Sequence, residues 1–154
     1  MLNTQVANIS RSRIIAAGQQ AIWDVLADFG AISQWAQPVD HSSILRAREQ
    51  TIGLARRVQM GRNTVIERIV VFDPPTALAY TIEGLPGFVC SMRNRWELAT
   101  LPTGFTVVTL TTTVDVGSSA PQRLVEQIFC RVAARQSDGL LAGLATQWED
   151  NHVA

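Results

Sequence analysis

Residues 64–83, TVIERIVVFDPPTALAYTIE, decide the fold. Two runs rich in β-branched residues, Thr64–Asp73 and Ala77–Glu83, are joined by Asp73-Pro74-Pro75-Thr76. Proline fixes φ and removes a ladder donor, so the join is a turn between strands. Strands this close in sequence pair antiparallel, because a parallel crossover needs about a dozen residues or more. The same punctuation recurs on both sides. Upstream lie VDHSSILRARE (39–49) and LARRVQM (54–60), separated by Gly53 and followed by Met60-Gly61-Arg62-Asn63, where Gly and Asn tolerate the positive φ of a hairpin. Downstream, Gly84-Leu85-Pro86-Gly87 precedes FVCSMRNRWELAT (88–100), and Leu101-Pro102-Thr103-Gly104 precedes FTVVTLTTTVDV (105–116). The pattern predicts a six-stranded antiparallel meander, not βαβ units.

Helices flank the meander. VANISRSRIIAA (6–17) reads as a first strand broken by Gly18. QAIWDVLAD (20–28) sets Ile22, Val25, Leu26 and Phe29 at helical spacing, and AISQWA adds a second short turn of helix before Pro38. Ser119-Ala120-Pro121-Gln122 reads as a capping box that opens a last helix running to about Glu149. Leu124, Ile128, Val132, Leu140, Leu144 and Trp148 form its apolar stripe, while Arg123, Glu126, Arg131, Arg135 and Asp138 take the other side. At ~1.5 Å per residue this helix is about 45 Å long, enough to cross a sheet.

The composition narrows the function. The chain has 154 residues, 47% hydrophobic and 17% charged, which suits one domain over residues 1–154 and argues against disorder. Thirteen basic and thirteen acidic residues cancel. A neutral chain lacks the electrostatic footprint of nucleic-acid binding, so no nucleic acid is expected as a partner. Every basic residue is Arg, which excludes Schiff-base lysine chemistry and a Walker-type phosphate loop. Cys90 and Cys130 form no CxxC, and His41 and His152 are too few and too far apart for a zinc site, so neither a metal nor a cofactor is expected. The N-terminal residues MLNTQVANISRSR lack a secretory pattern, and no apolar run approaches the ~20 residues of a membrane span. Reduced thiols in the cytoplasm, without stable membrane insertion, are the expectation.

Seven antiparallel strands have one inner face to cover, and the helices are the available cover. A strongly curved sheet cannot seat a straight helix along its whole length. The gap between them is then an apolar-lined void, the usual form of a small-molecule site. A small α+β sandwich with a filled core would give the same periodicities.

At this level the chain resembles the START-like, birch-pollen-allergen-type superfamily, and within it the polyketide cyclase/dehydrase and lipid-transport family (SRPBCC). The residues carrying the resemblance are Ile22–Phe29 followed by Trp35, Gly53 with Arg56 and Val58, Glu67-Arg68, Phe72–Pro75 with Leu78–Tyr80, Asn94–Leu98, and Phe105–Thr109. The resemblance implies an α+β helix-grip fold: a seven-stranded curved antiparallel sheet around a long C-terminal helix, with two short helices after the first strand. It implies an internal site for a small hydrophobic molecule. Members include carriers, receptors and aromatase/cyclases, so fold alone does not choose among them.

Several residues are candidates for that site. Both faces of the strand carrying Glu67 are mostly apolar, so alternation does not orient it. The resemblance implies that Glu67 points inward, where it would need an Arg or hydroxyl nearby; the plainer alternative is a surface partner for a neighbouring Arg. Arg56 and Arg57 are adjacent, so one faces inward; Arg57 and Arg95 are carried as the candidates to clamp a carboxylate or phenolate. His41 is a candidate donor or proton shuttle, and Tyr80, the only tyrosine, a candidate donor. Trp35, Leu140, Leu144 and Trp148 are candidate walls. Gly139 and Gly143 either let the last helix approach a ligand or flex as a lid, or serve close helix–sheet packing. The loops Met60–Asn63 and Gly84–Gly87, with Phe88 as an apolar tip, are candidate gates to one mouth.

Three functions fit. The first is a carrier or sensor enclosing one apolar or aromatic molecule. The second is a polyketide cyclase/dehydratase-like enzyme in which Glu67, His41, Tyr80 or an inward Arg moves protons and stabilises an enolate. The third is a protein-interaction module. Convergent ionisable groups in the cavity favour catalysis, and an apolar wall favours carriage.

Overall fold

The computed structural model describes residues 6–45, 50–85, 89–116 and 122–149, with the side chains of 122–130 outside the description. The elements are β1 (Val6–Ile15), α1 (Gln19–Ala27), a 3₁₀ helix (Phe29–Gln34), β2 (His41–Ile44), β3 (Ala55–Met60), β4 (Asn63–Asp73), β5 (Ala77–Glu83), β6 (Ser91–Thr100), β7 (Thr106–Asp115) and α2 (Gln122–Glu149). The expected capping box at Ser119 falls largely outside the described residues, as do 46–49 of the expected 39–49 strand.

The strands form one antiparallel sheet in the order β1-β7-β6-β5-β4-β3-β2. Hairpin spacing made β2 to β7 neighbours in chain order. β1 returns to pair along β7, from Val6 opposite Asp115 to Ile15 opposite Thr106. Gly61 sits at φ 60° in the β3–β4 hairpin, the left-handed turn conformation that the sequence anticipated. This is the α+β helix-grip architecture.

Strand period and register set the inner face. On β6, Met92, Asn94, Trp96 and Leu98 are buried, while Arg93, Arg95 and Glu97 face outward. On β4, Val65, Glu67 and Ile69 are buried, and the pairing then slips between Ile69 and Val71. That bulge absorbs Val70 and reverses the phase. Phe72 therefore turns inward and packs on Trp23 of α1, ring centroids 5.3 Å apart. The slip brings Phe72, out of phase with Val65, Glu67 and Ile69 in the sequence, onto the same inner face.

The core joins α1 and the 3₁₀ helix to the inner sheet face. Ile22, Leu26, Phe29 and Ile32 are buried with Val58, Ile69, Leu78 and Trp96. Polar contacts tie the short helices down. Ser42 Oγ donates to the Gly30 carbonyl at 2.8 Å, and Gln19 Nε2 donates to the Pro75 carbonyl at 2.8 Å.

α2 lies along β1 and β7, at one side of the sheet. Arg13 reaches Glu149 at 2.9 Å, and Arg11 sits 3.8 Å from Asp138. These exposed pairs orient the helix more than they stabilise it. Where α2 passes the residues after the 3₁₀ helix, a Cβ on Gly143 would collide with the Trp35 carbonyl oxygen. The glycines thus serve close packing, against the Trp35–Pro38 segment and not against the sheet.

Candidate functional site

A cavity of about 330 Å³ opens between β3–β6 and α2. It lies where the sheet curves away from a helix anchored on β1 and β7. The wall is mostly apolar, with Ile32, Val39, Val58, Val65, Ile82, Met92 and Leu140 contributing. The volume falls in the usual range for small-molecule pockets, roughly 300–1,000 Å³.

The two turn regions expected as gates both reach it: Met60, Arg62 and Asn63 from the β3–β4 hairpin, and Gly84 and Leu85 after β5; residues 86–88 lie outside the described ones. Across from them, Gln136 on α2 donates to Met60 Sδ at 3.4 Å. Val132 belongs to the apolar stripe of α2 yet is 56% exposed, because it lines this cavity where the sheet no longer covers it.

A polar row crosses the inner face of five strands. Arg56 on β3 stands opposite Glu67 on β4. Tyr80 on β5 stands opposite Asn94 on β6, which stands opposite Thr112 on β7. All five are buried, between 1% and 6% exposed. Register sets Arg56 opposite Glu67 and sets Tyr80, Asn94 and Thr112 in line, with a two-residue step between Glu67 and Tyr80.

The row is closely bonded. Arg56 Nε donates to Glu67 Oε1 at 2.8 Å, its second terminal nitrogen is 2.7 Å from the same oxygen, and Nη1 donates to the Phe29 carbonyl at 2.8 Å. The guanidinium carbon lies 3.8 Å from the Phe29 ring centroid and 4.7 Å from that of Tyr80. Removing one partner of such a pair costs about 3–5 kcal/mol, because the other charge is left buried alone. Thr112 Oγ1 donates to Asn94 Oδ1 at 2.7 Å, turning the amide so that Nδ2 donates to the Tyr80 hydroxyl at 3.4 Å. Trp96 Nε1 donates to the same oxygen at 3.2 Å. Burial pushes the Tyr80 phenol above its ordinary value, and the Glu67 carboxylate pushes the same way; Arg56 and the two donated bonds oppose them in part. Tyr80 is therefore a neutral phenol at physiological pH.

The expected site residues separate cleanly. Glu67, Tyr80 and Leu140 line the cavity. Arg57 does not: it is exposed, and Arg56 is the inward member of that pair. Arg56 lies in phase with Leu54, Val58 and Met60, so alternation within LARRVQM carried the signal. Arg95 is on the outer face, 3.0 Å from Glu97, so it cannot clamp anything inside. His41 is exposed on the edge strand β2, outside the cavity wall. Leu144 is fully buried in the core, Trp148 is partly buried against it, and Trp35 packs edge-on to Trp96 at 5.9 Å; none of the three lines the cavity. Asn94 and Thr112 were missed, although a polar residue in phase with Met92, Trp96 and Leu98 is itself a signal. Among the described residues no cluster of three metal-ligating side chains occurs, and no helix is long and apolar enough to cross a membrane.

A curved sheet gripping a helix, with an apolar cavity crossed by one buried polar row, defines a class of internal-cavity helix-grip proteins. Within that class the chain belongs to the polyketide cyclase/dehydrase and lipid transport family, whose sequence profile matches residues 6–149. Its fold is similar to that of the Zhui aromatase/cyclase from Streptomyces sp. R1128, at 22% identity and a TM-score of 0.78 over 94% of each chain. It is also similar to a START superfamily protein from Mycobacterium smegmatis, at 17% identity and a TM-score of 0.74 over 93% of this chain and 97% of the other. Ara h 8.0201 matches at 13% identity and a TM-score of 0.72, over 93% of this chain and 97% of the other. At these identities the likeness is one of fold. No curated protein matches the sequence.

Proposed function

We propose that the protein binds one small hydrophobic or aromatic molecule in the cavity between the sheet and α2, as a carrier or sensor. The observation that carries this reading is the cavity itself, about 330 Å³ with a mostly apolar wall. Burial of ligand surface, at ~25 cal/mol per Å², drives binding, and the few polar groups set orientation. Family membership supports it at the level of the class.

Glu67 and Tyr80 converge at the cavity wall, which taken alone favours catalysis; their pairing and protonation are what favour binding. Catalysis needs a base free to take a proton and an acid ready to give one. Glu67 is held in an ion pair by Arg56, and burial holds Tyr80 protonated. A cyclase/dehydratase-like reading rests on the closeness of these two groups at the cavity wall, and would show as a mass change in a bound poly-β-keto compound.

Native mass spectrometry of the purified chain with added 2-naphthol tests the binding reading. A saturable complex of one naphthol per chain is expected. Leu140→Trp, which fills the cavity from α2, is expected to abolish it while the chain stays folded. Unchanged binding in that variant overturns the reading.

A further inference from the structure

The closest contacts of Arg56 with Glu67 are made to one carboxylate oxygen. Both guanidinium contacts close on Oε1, and among the described residues Oε2 accepts no hydrogen bond. Glu67 lines the cavity, whereas Arg56 is buried outside its wall, in the corner formed by the edge-on rings of Phe29 and Tyr80. Arg56 is therefore not placed to meet a ligand. Tyr80 is complementary. Its oxygen accepts from Asn94 and Trp96, and its own proton meets no acceptor among the described residues. A phenol oxygen with both lone pairs engaged has only its proton left to give. Glu67 pairs with Ile82, and Tyr80 is two residues along the same strand, so the two side chains are diagonal neighbours. Such neighbours stand roughly 7–8 Å apart at the backbone, within reach of long side chains. The inner end of the cavity thus presents one anionic acceptor beside one neutral donor.

Resting on the reading of this cavity as the ligand site, we infer that the buried end of the ligand carries an uncharged hydroxyl, a phenol or an alcohol. Its proton is donated to Glu67 Oε2, and its oxygen accepts the Tyr80 proton. A carboxylate at this end is disfavoured, because it lacks a proton to give and meets Glu67 in a water-poor space, where like charges repel strongly. The expected carboxylate clamp is replaced by selection for a neutral hydroxylated compound.

The test compares 2-naphthol, 2-methylnaphthalene and 2-naphthoate, which share a ring system and differ in one group. Affinities are measured at neutral pH by calorimetry on the natural chain and on Arg62→Gln, which removes the arginine that lines the cavity at the β3–β4 hairpin. A hydrogen bond to a charged group is worth about ten-fold or more in affinity, so 2-naphthol is expected to exceed 2-methylnaphthalene by at least that factor. 2-Naphthoate is expected to bind weakest in Arg62→Gln. Tyr80→Phe is expected to reduce the ratio of 2-naphthol to 2-methylnaphthalene affinity; if that variant does not fold, the series on the natural chain decides. Equal affinities for all three compounds, or tightest binding of 2-naphthoate in Arg62→Gln, overturn the selectivity and leave the cavity reading standing. Failure of all three to bind overturns both.

Discussion

Tyr80 is the chain's only tyrosine, so its ionisation can be watched alone. Burial raises its folded-state value above the ordinary one of about 10. Below that value folded and unfolded chains both hold the proton, and the stability is fully present. As pH rises through it, the unfolded chain releases the proton while the folded chain keeps it, so stability falls until the raised folded value is passed. Phenolate absorbance is expected to develop at higher pH in the native chain than in urea, and Tyr80→Phe is expected to flatten the alkaline decline of stability. A native titration at the ordinary value contradicts the buried placement. At this scale the sequence was only partly legible. Glu67 and Tyr80 were recognisable as candidates. The choice between Arg56 and Arg57 turned on strand phase, and Arg95 was misplaced because residue type says nothing about which face of β6 a side chain takes. Asn94 and Thr112 matter only through partners on neighbouring strands, and a single sequence does not display registers.

Elements were far more legible than their contacts. The Pro-Pro and Gly-containing turns marked the hairpins of the meander, and helical spacing marked α1 and α2. The β4 bulge was hidden, because a phase reversal in a run as apolar as TVIERIVVF leaves no trace in alternation. The two glycines of α2 were visible as features but ambiguous in role. A Cβ at Gly139 would sit 3.3 Å from Pro38 Cγ, whereas one at Gly143 would collide with backbone, the Trp35 carbonyl. Alanine gains about 1 kcal/mol of helix propensity over glycine. Overpacking typically costs about 1–3 kcal/mol and a backbone neighbour yields least. Gly143→Ala is therefore expected to lower stability in urea denaturation by about 1–2 kcal/mol net. Gly139→Ala is expected to stay within about 1 kcal/mol of the natural chain. A stabilised Gly143→Ala chain would show that α2 does not bear on the Trp35–Gln37 backbone.

For the whole molecule, the central feature is a mismatch between a curved sheet and a straight helix. α2 is held along β1 and β7, and β3 to β5 bend away from it, leaving an interior with an apolar wall and one buried polar row. Periodicity cannot distinguish such a space from a filled core, since both demand the same alternation of apolar residues. Curvature is a property of the assembled sheet; the geometry of a sheet covered by a straight helix pointed to it in advance, and the family resemblance agreed. A methyl-resolved NMR titration with 2-naphthol tests the space directly. The account predicts saturable shifts of Val58, Val65, Ile82 and Leu140, which line the cavity, with Val6 and Ile14 on the exposed edge strand unmoved. Shifts confined to the outer surface, or none at saturating naphthol, would contradict it.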